Sequence, residues 1–318
     1  MRKSSYAFLL GSILMIGCSE QQSIYPPTTV EDYLNSMIDI MEQNHIRKST
    51  IDWAEFRALV LQDARGSATI ADAESSVLYA LELLNDQSTF VITVNGNLLT
   101  LNVQCEDDEP SVVVDDADIG YIKIPAFTKS GLDAAIFAEG KQNEAKAQDK
   151  ADLKGWIVDI RGNTGGNLWP MIAGLGPILG EGLLGNFVNG DAVNSPFSYS
   201  DGSAIYDESP VVTVLFPYTI LSPDAKVAVL VDNATSNAAE AVAIAFSGKA
   251  NTKSFGDPTC GQGGGNQTFA LLDGSSLFLN VAFLTDRNSK QFLGAYNPDE
   301  VVSDPTMVYN KAVEWINE

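Results

Sequence analysis

Helical periodicity governs the pattern of hydrophobic and polar positions from residue 30 to residue 88. Apolar side chains spaced three and four residues apart predict three amphipathic helices, at 30–41, 53–60 and 77–84. Thr28 and Glu31 have the spacing of a capping box, which predicts that the first helix begins beside them. The sole histidine, His45, follows this helix among polar residues, and we expect it at the surface.

The pattern then changes to strands. Alternating segments at 90–94 and 98–103 flank Asn95-Gly96, which is a strong hairpin signal. Further on, continuous apolar strands alternate with helices, which indicates a sheet covered on both faces. The strands are expected at 120–124, 156–160 and 227–231, and the helices at 131–150, Leu168–Leu179 and Ala238–Phe246. Residues 183–222 are rich in Gly, Ser, Asn and Tyr, and we expect short strands within a long surface excursion.

Composition narrows the functional classes. The 318-residue chain is 45% hydrophobic and 19% charged, which is typical of a globular protein. Its formal net charge of −22 argues against nucleic-acid binding, because a binder needs a basic face to displace counterions from phosphates. The same charge argues against binding anionic lipid by electrostatics alone. The acidic segment 106–118 matches no calcium-loop spacing and is expected to be a solvated loop.

The N-terminus has the features of an export signal. Arg2 and Lys3 precede an apolar stretch at 6–16 that is too short to span a bilayer. Residues 14–18 resemble a bacterial lipobox, so we expect residues 1–18 to be a lipoprotein signal peptide and Cys18 to carry the lipid. A polar, Pro-containing stretch at 19–29 suits a tether, and Ser19 is consistent with an outer-membrane destination facing the periplasm. The alternative is a plain signal peptide with an incidental cysteine.

Two further cysteines, Cys105 and Cys260, remain after export. An oxidising compartment permits a disulfide between them. Two free buried thiols are an equally open interpretation.

Two strand-to-helix turns carry the candidate chemistry. In the first, at 159–167, a buried strand enters a glycine-dense turn and then a helix. In the second, at 231–240, small residues lie between the strand and the helix. Backbone N–H groups at such junctions can hold an anion or an oxyanion. Neither turn contains a phosphate-loop motif, GxxxxGK[ST] or GxGxxG.

Together the turns resemble the tail-specific, or C-terminal-processing, serine peptidases, whose clan includes the tricorn core. Further segments resemble that family in the same order, and they are 84–90 (LNDQSTF), 120–125 (GYIKIP), 154–163 (KGWIVDIRGN), 255–261 (FGDPTCG), 286–287 (DR) and 297–299 (NPD). The resemblance implies an α/β fold, in which an N-terminal three-helix bundle (30–88) precedes a ClpP/crotonase-like core (89–318). The interval between residues 90 and 120 has no room for the PDZ domain that many members carry. The chain is therefore similar to compact members such as the nisin-resistance protease.

The family pattern places three substituted residues at the active positions. The nucleophile falls on Asn237, three residues before Glu240. The histidine position falls on Ser88, and the alternative lysine position on Gln262. An asparagine amide is a poor nucleophile, and neither Ser88 nor Gln262 can accept a proton near neutral pH.

Backbone groups and neighbouring residues complete the candidate site. The resemblance implies that the oxyanion donors are backbone N–H groups near Gly165, Gly166 and Ala238. Ser236 and Cys260 are rescue candidates for the nucleophile, although both could simply pack or cap. No cofactor or metal is expected.

Three functional hypotheses follow. The first is a degenerate homologue that binds extended or C-terminal peptides in the cleft, by adding them to a strand edge. The second is an active serine endopeptidase with a non-standard site. The third is a structural envelope lipoprotein without peptide recognition. In the first two, the expected partner is a peptide or protein with a free C-terminus. In all three, the protein is expected to bind the membrane through a lipid on Cys18.

Overall fold

The computed structural model describes residues 29–101, 105 and 116–318. The predicted signal peptide, Cys18 and all of the tether except Thr29 lie outside the described residues, as do residues 106–115 of the acidic segment. Within the described part, no helix combines the length and apolarity needed to cross a membrane.

The N-terminal part is helical, as the periodicity predicted. It contains α1 (Val30–Asn44), α2 (Trp53–Asp63) and α3 (Glu74–Leu84), with a 3₁₀ turn at Ala71–Ala73 before α3. The capping box of α1 lies one residue later than predicted. The Asp32 N–H donates to Thr29 Oγ1 at 3.0 Å, and the Asp32 carboxylate accepts from the Thr29 N–H at 3.3 Å. The prediction was wrong because the helix begins at Val30, which makes Thr29 its N-cap.

The remaining elements form two sheets and their covering helices. The strands, in chain order, are β1 (Phe90–Ile92), β2 (Leu98–Leu99), β3 (Ile119–Lys123), β4 (Gly155–Asp159), β5 (Gly182–Asn189), β6 (Asn194–Ser200), β7 (Ser203–Tyr206), β8 (Ser209–Thr213), β9 (Lys226–Val231), β10 (Thr252–Gly256), β11 (Gly265–Ala270), β12 (Ser276–Asp286), β13 (Gln291–Phe292) and β14 (Glu300–Val301). The helices are α4 (Leu132–Gln148), α5 (Leu168–Leu179), α6 (Ala238–Phe246) and α7 (Val308–Asn317).

The smaller sheet is parallel and has the order β14-β10-β9-β4-β3. Its strands bury both faces. Trp156 and Val158 of β4 pack in the core that contains α5 and α6, whereas Ile157 packs with α7. The predicted sheet covered on both faces is thus confirmed. The described bounds of α5 and α6 agree with those predicted.

The larger sheet has nine strands, with the path β2-β1-β12-β5-β6-β7-β8 and with β11 and β13 also paired to β12. The hairpin predicted at Asn95-Gly96 is present, because Val91 pairs with Leu99 and Gly96 has φ +83°. Its strands are shorter than predicted. Residues 183–222 are more regular than predicted, because most of them form the antiparallel strands β5 to β8.

The N-terminal helices pack against this larger sheet. Met37 of α1, Phe56 of α2 and Leu81 of α3 share one buried core with Leu277 and Leu279 of β12. Each fully buried side chain of this size stabilises the fold by about 1.5–3 kcal/mol. The helices therefore fix the position of residues 85–89, which lead from α3 into β1.

Candidate active site

The first glycine-dense turn connects β4 to α5 and is held by buried polar contacts. Arg161 Nη2 lies 2.7 Å from Asp159 Oδ2, and both side chains are buried. Burial raises the pKa of Asp159, but the Arg161 guanidinium, together with Lys123 and Tyr121, holds the pKa below its ordinary value. Asn163 Nδ2 donates to the Ile124 carbonyl at 3.0 Å, and Asn163 Oδ1 accepts from the Gly165 N–H at 2.8 Å. The turn is therefore rigid before any ligand binds.

Glycine is required at two positions of this turn. A methyl group on Gly166, which has φ +108°, would lie 2.3 Å from the Phe127 carbonyl oxygen. A methyl group on Gly165 would lie 2.8 Å from Cβ of Asn237 and 3.0 Å from the Ala238 nitrogen. The second turn thus approaches Gly165, and the segment after β3 approaches Gly166, too closely for a side chain on either residue.

The second turn connects β9 to α6 and is tied to the first. The Gly162 N–H donates to Asp232 Oδ2 at 2.8 Å, and the Ser236 N–H donates to the Asn163 carbonyl at 3.0 Å. Asn237 is the N-cap residue of α6, with φ +53° and ψ −120°. Few residues other than glycine adopt a positive φ, so the fold holds Asn237 in a strained conformation.

The side chain of Glu240 stabilises this conformation of Asn237 through hydrogen bonds. Its fully buried carboxylate accepts from the Asn237 N–H at 3.0 Å, from the Gly261 N–H at 2.8 Å and from Thr259 Oγ1 at 2.5 Å. Burial raises the pKa of Glu240 above its ordinary value, and these hydrogen bonds reverse the shift only in part. Sequence reasoning used Glu240 only to locate Asn237 and missed this positioning role. Its signal was the i, i+3 spacing of a capping box.

Two backbone donors remain for an oxyanion or a carboxylate. Within the described chain, the N–H groups of Gly166 and Ala238 have no acceptor, and both residues line the same cleft. Gly165 does not supply such a donor, because its N–H is already bonded to Asn163 Oδ1. The prediction that Gly165 contributes a free N–H is therefore corrected. The remaining pair is Gly166 and Ala238.

The two alternative base positions lie against each other. Ser88 is buried, and its hydroxyl donates to the Gln262 carbonyl at 2.9 Å. The Ser88 N–H is bonded in turn to Asp86 Oδ1 at 3.0 Å. The structure thus brings together the two residues predicted at the histidine and lysine positions. Neither residue offers a side chain that ionises near neutral pH.

His45 is buried, and the prediction that it lies at the surface was wrong. Its Nδ1 accepts from the Arg47 N–H at 3.2 Å, so its Nε2 carries the proton toward Asp86 Oδ2, also at 3.2 Å. Burial raises the pKa of Asp86, but hydrogen bonds from His45, Thr89 and Ser88 together hold it below its ordinary value. The contact between His45 and Asp86 joins the end of α1 to the segment after α3, and the sequence pattern did not predict it.

Neither of the two residues predicted as replacement nucleophiles, Ser236 and Cys260, is available to act as one. Ser236 is 3% exposed and does not line the cleft that contains Asn237. Cys260 forms a disulfide with Cys105, and their Cα atoms are 5.4 Å apart. The question of the two cysteines is thereby answered in favour of pairing. Cys260 has no thiol to act as a nucleophile while that bond is intact.

The cleft beside Asn237 has a volume of about 740 Å³ and aromatic walls. Trp169, Phe187 and Tyr206 contact one another with ring centroids 5.4–6.5 Å apart. Phe90 and Phe278 stack at 4.5 Å elsewhere along the cleft. Sequence reasoning missed this wall, because its five rings come from α5, β5, β7, β1 and β12.

Comparisons with known proteins agree with this geometry. The family model described as peptidase family S41 matches residues 118–302. The nisin-resistance protein of Lactococcus lactis subsp. lactis is 25% identical over 316 residues, which cover 98% of this chain and 94% of that protein.

Solved structures are similar in fold. A lipoprotein from Streptococcus agalactiae superposes with a TM-score of 0.71 at 24% identity, covering 93% of this chain and 99% of that one. The photosystem II D1 C-terminal processing protease superposes with a TM-score of 0.57 at 14% identity, covering 87% and 94%. The resemblance predicted from the two turns is confirmed. Because the family model matches more than half of its residues, the chain belongs to peptidase family S41.

Proposed function

We propose that this chain is a non-catalytic member of its family that binds extended peptides with a free C-terminus at the cell envelope. One observation carries the proposal. The turns form a cleft with two N–H groups that have no acceptor among the described residues, whereas Asn237, Ser88 and Gln262 stand where the family resemblance places the nucleophile and the two alternative bases.

The chemistry of these replacements argues against turnover. The Asn237 amide has no proton that a base could remove near neutral pH, and its nitrogen lone pair is delocalised. Loss of nucleophile and base together removes the catalytic unit, because the two act on the same proton. Backbone N–H donors alone would leave only a weak acceleration.

Binding needs none of the lost side chains. The free N–H groups of Gly166 and Ala238 suit a carboxylate, and Ala238 opens α6, whose N-terminus favours negative charge. Strand β11 lines the cleft and pairs only with β12 among the described strands. Its other edge can therefore accept an extended peptide as an added strand. The aromatic wall of Trp169, Phe187 and Tyr206 suits an apolar side chain.

Isothermal titration calorimetry tests this proposal with one peptide in two forms. The peptide has an apolar last residue and carries either a free C-terminal carboxylate or an amide. We expect the free acid to bind at least about tenfold more tightly, a difference of ~1.4 kcal/mol. Equal affinities, or no heat from either form, would overturn the proposal.

A matched pair of variants locates the site. Trp169→Ala removes part of the aromatic wall and is expected to weaken binding of the free acid. Phe216→Ala removes a ring that is 89% exposed and does not line the cleft, and it should leave affinity unchanged.

Two other functions remain candidates. The first is an active peptidase with a non-standard site, and only the rigidity of the two turns favours it. If the protein is such a peptidase, the peptide recovered after the titration should be shortened. A structural lipoprotein without peptide recognition has less support, because the 183–222 segment forms a wall of the cleft through Phe187 and Tyr206 and leaves the cleft open.

We also place the protein at the envelope through a lipid on Cys18. The lipobox resemblance supports this, as does the similarity to a nisin-resistance protein and to a lipoprotein. The Cys18→Ser variant should move from the membrane fraction to the soluble fraction of the cell. An unchanged distribution would remove the anchor from the proposal.

A further inference from the structure

The backbone conformation of Asn237 places its side chain close to the nitrogen of the next residue, Ala238. At ψ −120°, the Cα–Cβ bond of an L residue nearly eclipses the C–N bond to the next residue. Cβ of Asn237 therefore lies on the same side as the Ala238 nitrogen. The same eclipsed arrangement is required in a five-membered ring that joins the side-chain Cγ to the following backbone nitrogen.

The Ala238 nitrogen is free to react. Its N–H has no acceptor among the residues that the structure describes, so losing the proton breaks no hydrogen bond. Ala238 is the first residue of α6, where the helix dipole stabilises developing negative charge. Glycine at residue 165 leaves room for the Asn237 side chain and the Ala238 nitrogen, since a methyl group there would lie 2.8 Å from Cβ of Asn237 and 3.0 Å from that nitrogen.

We propose that Asn237 is a site of spontaneous covalent modification, in which it cyclises onto Ala238 and is then hydrolysed to aspartate or isoaspartate. The Ala238 nitrogen loses its proton to solvent and attacks Cγ of Asn237, which forms the N–Cγ bond. The Cγ–Nδ2 bond then breaks, and the amide nitrogen leaves as ammonia with a proton from solvent. Water adds to one carbonyl of the succinimide ring and opens it. The balance is one ammonia lost and one water gained, without oxidant or metal.

The modification would change the cleft. An uncharged amide at the family's nucleophile position becomes a carboxylate beside the N–H groups of Gly166 and Ala238. That carboxylate would repel an anionic ligand from the same groups. The chemistry itself is independent of whether the cleft binds peptides.

The chain contains its own matched control. Asn233 also precedes an alanine, Ala234, so the two asparagines have the same following residue. Asn233 does not share the positive φ of Asn237. In the unfolded chain the two sites should therefore react at the same rate, and any difference in the native protein arises from the fold.

The experiment compares the two sites by mass spectrometry. The purified full chain is held for days in mildly alkaline buffer, with and without urea, and the peptides carrying both asparagines are fragmented to locate the mass gain. In native protein we expect Asn237 to convert at least about tenfold faster than Asn233, because the fold holds the reacting atoms in position. In urea the two rates should be equal. Equal rates in native protein, or an unmodified Asn237 while Asn233 converts, would overturn the proposal.

A variant checks the ring chemistry. Asn237→Gln keeps an amide but requires a ring one atom larger, so conversion at residue 237 should be lost while that at Asn233 continues. Undiminished conversion in this variant would contradict the mechanism. If the variant does not fold, the proposal is tested by the conversion rates of Asn237 and Asn233 in native and in urea-denatured wild-type protein.

Discussion

At the scale of single residues, the site separates positioning from chemistry. Glu240, Asn163 and the glycines of the first turn hold the backbone of Asn237 and Ala238 in place. These contacts do not involve the side chain that would perform catalysis. A substitution at residue 237 can therefore abolish turnover and leave the cleft and its N–H donors unchanged.

Restoring the nucleophile alone should not restore peptidase activity. Asn237→Ser supplies a hydroxyl, but neither Ser88 nor Gln262, at the predicted base positions, can accept its proton near neutral pH. The double variant Asn237→Ser with Gln262→Lys supplies both, and we expect it to cleave unfolded casein about 100-fold or more faster than the single variant, the scale of general-base catalysis. Gln262→Lys alone is the control. Equal activity of the single and double variants would show that a base is already present.

Glu240→Gln should destabilise the fold. The new amide places an N–H group toward donors such as the Asn237 and Gly261 N–H groups, which leaves buried polar groups unpaired. We expect a loss of about 1–3 kcal/mol in the free energy of unfolding, measured by chemical denaturation. Glu139→Gln, on the exposed face of α4, is the control and should have no measurable effect. An equal effect of the two substitutions would contradict the positioning role.

At the scale of elements, local patterns predicted well and long-range partners did not. The bounds of α5 and α6 follow from continuous apolar runs between turn residues. The capping box was ambiguous, because Thr28 and Thr29 are both followed three residues later by an acid. His45 was misplaced because its partner, Asp86, is 41 residues away. The regularity of β5 to β8 depends on pairing among strands too polar to be recognised singly.

The contact between Asp86 and His45 gives a pH signature. Because the pKa of Asp86 lies below its ordinary value in the fold, the unfolded chain binds more protons in the window beneath about 3.9. Its contribution to stability is complete above that window and is lost as pH falls through it. Asp86→Asn should therefore lower stability near neutral pH and reduce the loss on acidification. Denaturation curves at several pH values measure this.

The control for this prediction is Asp224→Asn, which changes an exposed residue on the loop before β9. It should leave the pH dependence of stability as in the wild type. If Asp86→Asn loses stability on acidification as much as the wild type does, Asp86 is not the source of this pH dependence.

At the scale of the whole molecule, the disulfide and the predicted lipid signal point to the same compartment. Cys105 and Cys260 are 155 residues apart, so their bond constrains the unfolded chain strongly. Replacing both by alanine should cost about 2–4 kcal/mol in the free energy of unfolding. Reducing agent should destabilise the wild type by a similar amount and have no effect on the double variant. A wild type insensitive to reducing agent would contradict the structural role of the bond.

The family and the fold followed from two turns and a few short motifs, whereas the state of the active site required the packing around them. The family resemblance predicted that Asn237, Ser88 and Gln262 stand at the positions of the reactive residues. Only the structure shows that Ser88 and Gln262 contact each other, that Cys260 is paired and that Ser236 lies outside the cleft. These contacts leave neither Cys260 nor Ser236 available at the cleft as a replacement nucleophile, which supports the proposed loss of turnover.

The most direct test of this account is mass spectrometry of peptides with free C-termini after days of incubation with the protein lacking residues 1–18. We predict that every peptide keeps its full mass. Shortened products that appear with the wild type and disappear with Ser236→Ala would contradict the account, because they would require a working nucleophile beside Asn237.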